Sequence, residues 1–351
     1  MKYRLSSISI LIFLLSLFSC IREKTSETET MQDSIPAESL ENSPNDIAIN
    51  EQKKEPEPVF LTAQDIQLRR ELLFDKYILE DTYPYRDTVR SFQWQAICDK
   101  LAFIENMQQK PVQWVVFENY KNINGEAPTI LNYTRNEYNR ITDSLGIERF
   151  QSVPLYSPTG DIGSPKLYGQ DGTLAKIVDT EEDYYLIEPI LIEGQWLVPK
   201  NYIRELPDST SFQHIVVVDR IQQNIATLER ESPGNWLIRS TNPATTGRFK
   251  PPYAQKTPLG IFLLQQKKRR MHYFQDGTRE IEGYAPYASR FTNGAYIHGI
   301  PVVGVDNPIK EHSPTLGTTP RSHMCVRNNS SHAEFIYKWA PLRRTLVIVI
   351  E

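Results

Sequence analysis

The alternation of apolar and polar positions divides this chain into stretches of different character. An apolar run, Ile8-Ser9-Ile10-Leu11-Ile12-Phe13-Leu14-Leu15-Ser16-Leu17-Phe18, follows Lys2 and Arg4. It is too short for an ordinary spanning helix and has the charged head and apolar centre of a secretion signal. From residue 21 to 58 the sequence turns to Glu, Ser, Thr, Asn and Pro without periodicity. Such a segment buries too little to offset its chain entropy, which predicts a disordered tether over 20–59, spanning roughly 35 Å as a flexible coil. Apolar residues then recur at helical spacing. Ile66, Leu68, Leu72, Leu73 and Tyr77 behind Thr62 as N-cap predict a helix over 63–79, and Ile97, Leu101 and Ile104 a second over 92–107. A further helix is predicted over 136–145. Val112 to Phe117, introduced by Pro111, reads as a short strand. Residues 60–149 are therefore expected to form a mainly helical region.

From residue 150 the pattern shortens to apolar runs divided by turn residues, at 153–156, 174–178, 184–187 and 193–199, which predicts a small antiparallel barrel over 150–207. Pro207-Asp208 marks the next boundary. Beyond it, strands are predicted at 214–219, 225–230, 236–240, 260–265, 295–298 and 345–350, with a helix over 331–339. Tyr273, Phe274, Tyr284, Tyr287 and Phe291 make 271–293 read as an irregular aromatic loop. The expected fold class is multidomain α+β: a helical N-terminal region, a small barrel and a mainly-β C-terminal domain over 208–351.

Composition narrows the chemistry. A formal net charge of −4 over 351 residues gives no electrostatic footprint for nucleic acid. Three cysteines make no disulfide framework. Cys98 falls inside a predicted helix and reads as a core thiol. Cys325 stands between His323 and Arg327, where nearby positive charge favours a thiolate and a histidine can take its proton. His214, His272, His312 and His332 are scattered singly, without metal-ligand spacing, so neither metal nor cofactor is expected.

The pair His298-Gly299, followed by Ser322-His323-Met324-Cys325-Val326-Arg327, resembles the signature of the YkuD-type L,D-transpeptidases, cysteine acyltransferases of bacterial peptidoglycan. Thr257-Pro258-Leu259-Gly260-Ile261-Phe262 looks like that family's turn and strand, and His214 to Asp219 with Gln222 or Gln223 like its opening strand. The resemblance covers about the last 140 residues. It implies a β-sandwich-like domain acting on peptidoglycan stem peptides, with Cys325 as nucleophile and His298 as base, held by the carbonyl of Gly299. It further implies backbone N–H groups of Met324 and Cys325 as oxyanion donors, His323 as local positive charge, Arg327, Ser322 and Tyr296 toward substrate, and acylation of Cys325 by carbapenems. Met324 stands where the family has glycine; if that position requires positive φ, methionine would be strained by about 1–3 kcal/mol. The segment between His298 and Ser322 is longer than usual, which suggests an inserted loop.

Two further resemblances concern the rest of the chain. Leu17-Phe18-Ser19-Cys20 is similar to a lipobox, implying a signal peptide over 1–19, lipidation of Cys20 and a periplasmic, membrane-tethered protein. Ile21 in place of aspartate favours the outer membrane. Gly194-Gln195-Trp196-Leu197-Val198-Pro199-Lys200-Asn201-Tyr202-Ile203 resembles bacterial Src-homology-3-like domains, with Trp196, Tyr202 and Tyr184 lining a groove or simply filling the core. Three functions stay open: formation of 3→3 crosslinks, L,D-carboxypeptidase action with water as acceptor, or peptidoglycan binding without catalysis.

Overall fold

The computed structural model describes residues 59–159 and 162–351; the expected signal peptide, Cys20 and the tether up to residue 58 lie outside the described residues. The most apolar runs among the described residues, Ile215 to Val218 and Leu346 to Ile350, are neighbouring parallel strands at the centre of a six-stranded sheet. Continuous rather than alternating hydrophobicity suits strands covered on both faces, and both faces are covered. The strand order across the sheet is Gln67–Arg70, Asn235–Pro243, Asn224–Ser232, His214–Asp219, Thr345–Ile350 and Gly260–Leu263.

One face, carrying Ile215, Val217, Ile348 and Trp236, packs against Ile97, Leu101 and Ile104 of helix α1 (Trp94–Met107). The other, carrying Val216, Val218, Val347 and Val349, packs against Phe291, Ile297 and Val326 of a second sheet and Ile336 of helix α2 (Ser330–Trp339). Full burial of each such side chain stabilises by about 1.5–3 kcal/mol, so this two-sided stack is the main source of stability around the site. A buried acid fixes α1 to the sheet: Glu105, 4% exposed, accepts from Arg230 Nε and Nη2 (2.8 and 2.7 Å), Trp236 Nε1 (3.0 Å) and the N–H of Gly234 (3.2 Å).

The second sheet holds the long antiparallel hairpin Gln266–Phe274 and Ile281–Thr292, then Ala295–His298, Val326–Arg327 and the short Val302–Val303. The hairpin corrects the irregular loop expected over 271–293. Its aromatic residues stand on both paired strands; Tyr284 and Phe291 are buried while Phe274 is exposed near the tip.

The mainly helical region expected over 60–149 is also corrected. Only α1 forms as an α-helix there among the described residues. Residues 63–65 make one 3₁₀ turn, and Gln67–Arg70 then pairs in parallel with Asn235–Ile238, extending the six-stranded sheet. The apolar spacing of Ile66, Leu68 and Leu72 serves that sheet's core, because pairing at an open edge outweighs weak helical propensity. The helix expected over 136–145 is instead a small hairpin, Thr134–Arg135 with Ile141–Thr142. Asn136 Oδ1 accepts from the N–H groups of Tyr138 and Arg140, and Asp143 Oδ1 from those of Leu145 and Ile147, so side-chain turns compete the helix away.

An antiparallel five-stranded sheet runs in the order Trp196–Pro199, Tyr184–Pro189, Leu174–Thr180, Trp114–Phe117, Ile203–Glu205. Its third and fourth strands are joined across the 149/150 boundary expected from sequence. Tyr202 is 7% exposed in its core beside Val115 and Val198, whereas Trp196 is only partly covered and donates from Nε1 to the carbonyl of Glu193 (2.9 Å).

Candidate active site

Ala295–His298 and Val326–Arg327 are adjacent parallel strands, with Ile297 opposite Val326 and His298 opposite Arg327. This register places Cys325, one residue before its strand, beside the end of the strand that carries His298, although 26 residues of other chain separate them. Both line one cavity of about 400 Å³, together with Arg327, Met271 and Tyr273.

His298 is 3% exposed, and its Nδ1 lies 2.6 Å from the carbonyl oxygen of Gly299. A carbonyl only accepts, so Nδ1 carries the proton and Nε2 keeps its lone pair. Burial pushes the imidazole pKa down to about 4; the Gly299 carbonyl opposes that and the Arg327 charge adds to it. The Cys325 thiol donates to the carbonyl of Gly294 at 3.6 Å. Burial pushes its pKa up, against the backbone amide of Tyr296 and the charge of Arg327. Opposite shifts leave a neutral thiol and a neutral imidazole in one cavity at neutral pH.

The glycine after His298 is a steric requirement. A Cβ there would meet Ser330 Oγ at 2.6 Å and Pro286 Cγ at 2.8 Å, while the Gly299 N–H donates to the Pro286 carbonyl (2.9 Å). Gly299→Ala is expected to lower stability by about 1–3 kcal/mol through overpacking and to shift the carbonyl that orients His298. A thermal melt reads the first effect and loss of His298-dependent activity the second.

The turn before Cys325 is braced from three directions. Ser322, 2% exposed, donates from Oγ to the carbonyl of Cys325. Thr257 Oγ1 donates to the Met324 carbonyl (2.8 Å) and accepts from the Gly247 N–H (2.8 Å), and the Gln255 N–H donates to the His323 carbonyl (2.8 Å). Gly247 has no room for a Cβ, which would lie 2.3 Å from the Gln255 carbonyl oxygen and 2.9 Å from Met324 Cα. Met324 is absent from the residues of positive φ, so methionine replaces glycine here without left-handed strain, and its side chain packs on the core behind the turn. Among the described residues nothing accepts from the N–H groups of Met324 or Cys325, leaving both donors free for an oxyanion.

The other residues singled out in the sequence divide. Arg327 is half-buried on the cavity wall, with Arg248 and Arg321 close enough to act on its charge and, among the described residues, no paired carboxylate. His323 sits at the rim, half exposed, with Nε2 3.7 Å from Asp276 Oδ2 at the hairpin tip. Ser322 touches the cavity but its hydroxyl is spent within the turn, a bracing role rather than a substrate contact. Tyr296 is corrected: it shares a strand face with His298, two residues on, but at 2% exposure it lies off the cavity wall, covered where its hydroxyl reaches Gln266 Oε1 (3.1 Å) and the Tyr120 hydroxyl (3.4 Å). Met271, Tyr273, Asp276 and Glu282 also line the cavity; they fall within the stretch that read as an irregular loop, the place of the family's substrate-covering loop, without being singled out there as site residues. A second cavity of about 480 Å³ lies beside Met324 and includes neither Cys325 nor His298. Among the described residues no group of three or more His, Cys, Asp and Glu could hold a metal ion.

The fold and site can be set beside known proteins. No curated protein matches the chain. Solved structures similar to it include a fused Zn-dependent amidase/peptidase/peptidoglycan-binding domain-containing protein from Clostridium acetobutylicum (19% identity, 39% of this chain and 52% of that one, TM-score 0.29). Others are an L,D-transpeptidase from Mycobacterium smegmatis (17%, 50% and 82%, 0.32) and L,D-transpeptidase 3 from Mycobacterium tuberculosis with a faropenem-derived adduct (21%, 45% and 73%, 0.31). The chain spans about half the length of the first of these. Residues 213–349 match the family model described as YkuD, L,D-transpeptidase catalytic domain. That stretch contains the six motif residues 322–327, His298-Gly299 and five of the six strands of the central sheet, and it is a YkuD-type L,D-transpeptidase catalytic domain.

Proposed function

We propose that this chain is a peptidoglycan L,D-transpeptidase that forms 3→3 crosslinks through a thioester on Cys325. The observation that carries the reading is the tautomer imposed on His298: Nδ1–H is committed to Gly299, so Nε2 is left as a base in the cavity it shares with the thiol. In the first half-reaction His298 takes the thiol proton as sulfur attacks the carbonyl of the stem's diamino acid. The N–H groups of Met324 and Cys325 receive the developing oxyanion, each typically contributing about 3–4 kcal/mol. Protonated His298 then gives its proton to the departing D-alanine amine. In the second half-reaction an amine of another stem attacks the thioester, His298 accepts its proton, and Cys325 leaves as thiol. Arg327, on the cavity wall and without a paired carboxylate among the described residues, supplies a bidentate partner for a substrate carboxylate. Export and lipidation at Cys20 would place the enzyme in the periplasm on the outer membrane, which envelope fractionation tests.

Incubation with purified tetrapeptide muropeptides, followed by mass spectrometry, tests the chemistry. A 3→3 dimer with released D-alanine is expected. Tripeptide without dimer would replace the transferase by an L,D-carboxypeptidase, and no product at all would leave peptidoglycan binding without catalysis.

A further inference from the structure

Asp171 lies outside the matched catalytic segment, on the turn between Leu167–Gln170 and Leu174–Thr180, and it is completely buried. Its Oδ2 accepts from Arg290 Nη1 (2.6 Å), Gln265 Nε2 (3.0 Å) and the N–H of Asn293 (3.0 Å), and its Oδ1 from the N–H of Asn119 (2.9 Å). Its backbone carbonyl accepts from Thr292 Oγ1 (2.5 Å). Four donors on two side-chain oxygens suit an ionised carboxylate, which only accepts. Burial pushes the carboxyl pKa up, opposed by the Arg290 guanidinium and by the hydrogen bonds from Asn119 and Gln265. The next residue, Gly172, has φ +87° and no room for a Cβ, which would fall 2.2 Å from the Phe291 carbonyl oxygen. The turn is thus inserted as a plug against Phe291, Thr292 and Asn293.

Those residues lead into the two-residue turn Asn293-Gly294 that joins the hairpin to the His298 strand. Asn293 is left-handed (φ 39°), a conformation few non-glycine residues adopt, and its N–H is one of those Asp171 holds. Gly294, the other residue of the turn, offers the carbonyl to which the Cys325 thiol donates. A chain of direct contacts therefore runs from the Asp171 carboxylate through the Asn293 N–H and the Gly294 carbonyl to Sγ.

We propose that Asp171 is a positioning residue for Cys325: by holding the Asn293-Gly294 turn it aims the Gly294 carbonyl at the thiol, so the sheet preceding the catalytic segment completes the active site. This rests on the reading of Cys325 as nucleophile, and the test separates the two. In Asp171→Asn, one end of the amide becomes a donor facing donors, and the turn loses its anchor. The full chain is compared with Asp171→Asn and with Glu105→Gln, which loosens a buried acid network away from the turn. The readouts are thermal melting, turnover of tetrapeptide muropeptides, and the pH profile of Cys325 alkylation by iodoacetamide measured by intact mass. The expected result is that folded Asp171→Asn loses about 100-fold in turnover, as a misplaced reacting group does. Its alkylation profile should move to lower pH, because the carbonyl that favours the protonated thiol no longer faces it. Glu105→Gln should melt earlier with its alkylation profile unmoved. If Asp171→Asn does not fold, Thr292→Val, which removes one bond of the plug, is expected to shift the profile in the same direction by less. An unmoved profile in the folded variants, or equal shifts in Glu105→Gln, overturns the proposal. A shifted profile in a chain that turns over no muropeptide upholds Asp171 and overturns the assigned substrate instead.

Discussion

Cys325→Ala is expected to abolish formation of crosslinked dimer, by on the order of 10⁴-fold or more, while leaving the thermal melt within a degree or two of the parent. The first expectation follows from the absence of an alternative. Among the described residues the other free thiol is Cys98, buried in α1 against the central sheet, where burial and the neighbouring Asp99 push its pKa up and no base faces it. The second follows from how little Sγ contributes to the fold. It donates one long hydrogen bond, to Gly294, and faces the Tyr296 amide, whereas the turn around it is held by Ser322, Thr257 and Gln255, none of which bonds to sulfur. The same substitution should remove any covalent adduct formed with a carbapenem, read by intact mass. Retained dimer formation in the alanine variant would end the assignment of Cys325. Loss of activity with a collapsed melt would show only that the thiol was structural.

Stability is expected to fall steeply as pH drops below about 6.5, and two buried histidines set the window. Burial pushes His298 down to about 4 and His332 to about 3. His332 is completely enclosed, Nε2 bonded to Ser240 Oγ (2.9 Å) and the ring packed on Phe74 and Phe335. Both pKa values are depressed, so the unfolded chain takes up protons that the folded chain refuses. Their contribution is fully present above about pH 6.5 and is lost as pH falls through about 4 for His298 and 3 for His332. At 1.36 kcal/mol per pH unit, the full loss is about 3 kcal/mol for the first and about 5 kcal/mol for the second. Against a typical total of about 5–15 kcal/mol that is enough to unfold the chain in mild acid. The urea midpoint should therefore be clearly lower at pH 4.5 than at pH 7. His332→Phe should cost about 1 kcal/mol at pH 7 for the lost Ser240 bond and flatten the acid decline. A midpoint independent of pH would show that these rings are not held neutral. Because His298 stays a base down to about pH 4, the acid limb of activity should follow unfolding rather than titration of the base.

Cys325, His298 and Gly299 were legible in the chain because they match a family motif, and a motif of residue types is written in one dimension. The central strands were legible for a related reason: Ile215 to Val218 and Leu346 to Ile350 are apolar without alternation, which only two-sided burial tolerates. Short apolar runs carried less. Ile66, Leu68 and Leu72 fit a helix as well as an edge strand, and the choice fell to an open edge at Asn235–Ile238, more than 160 residues away. The aromatic stretch from 271 to 293 showed its residues but not its pairing, and with the pairing went Met271 and Tyr273 on the cavity wall. Tyr296, on the same strand face as His298, looked like a substrate contact, but Gln266 and Tyr120, distant in the chain, cover its hydroxyl.

The sequence by itself determined which residues match the family motif and which runs must be buried, since both depend on side-chain type and local spacing. Only the tertiary structure decided that Met324 needs no left-handed backbone, that His298 keeps its proton on Nδ1, and that a carboxylate from another sheet braces the turn facing the thiol. Each of these depends on where a distant backbone group comes to rest, and hydrogen bonds between residues such as Asp171 and Asn293 leave no periodic trace in the chain.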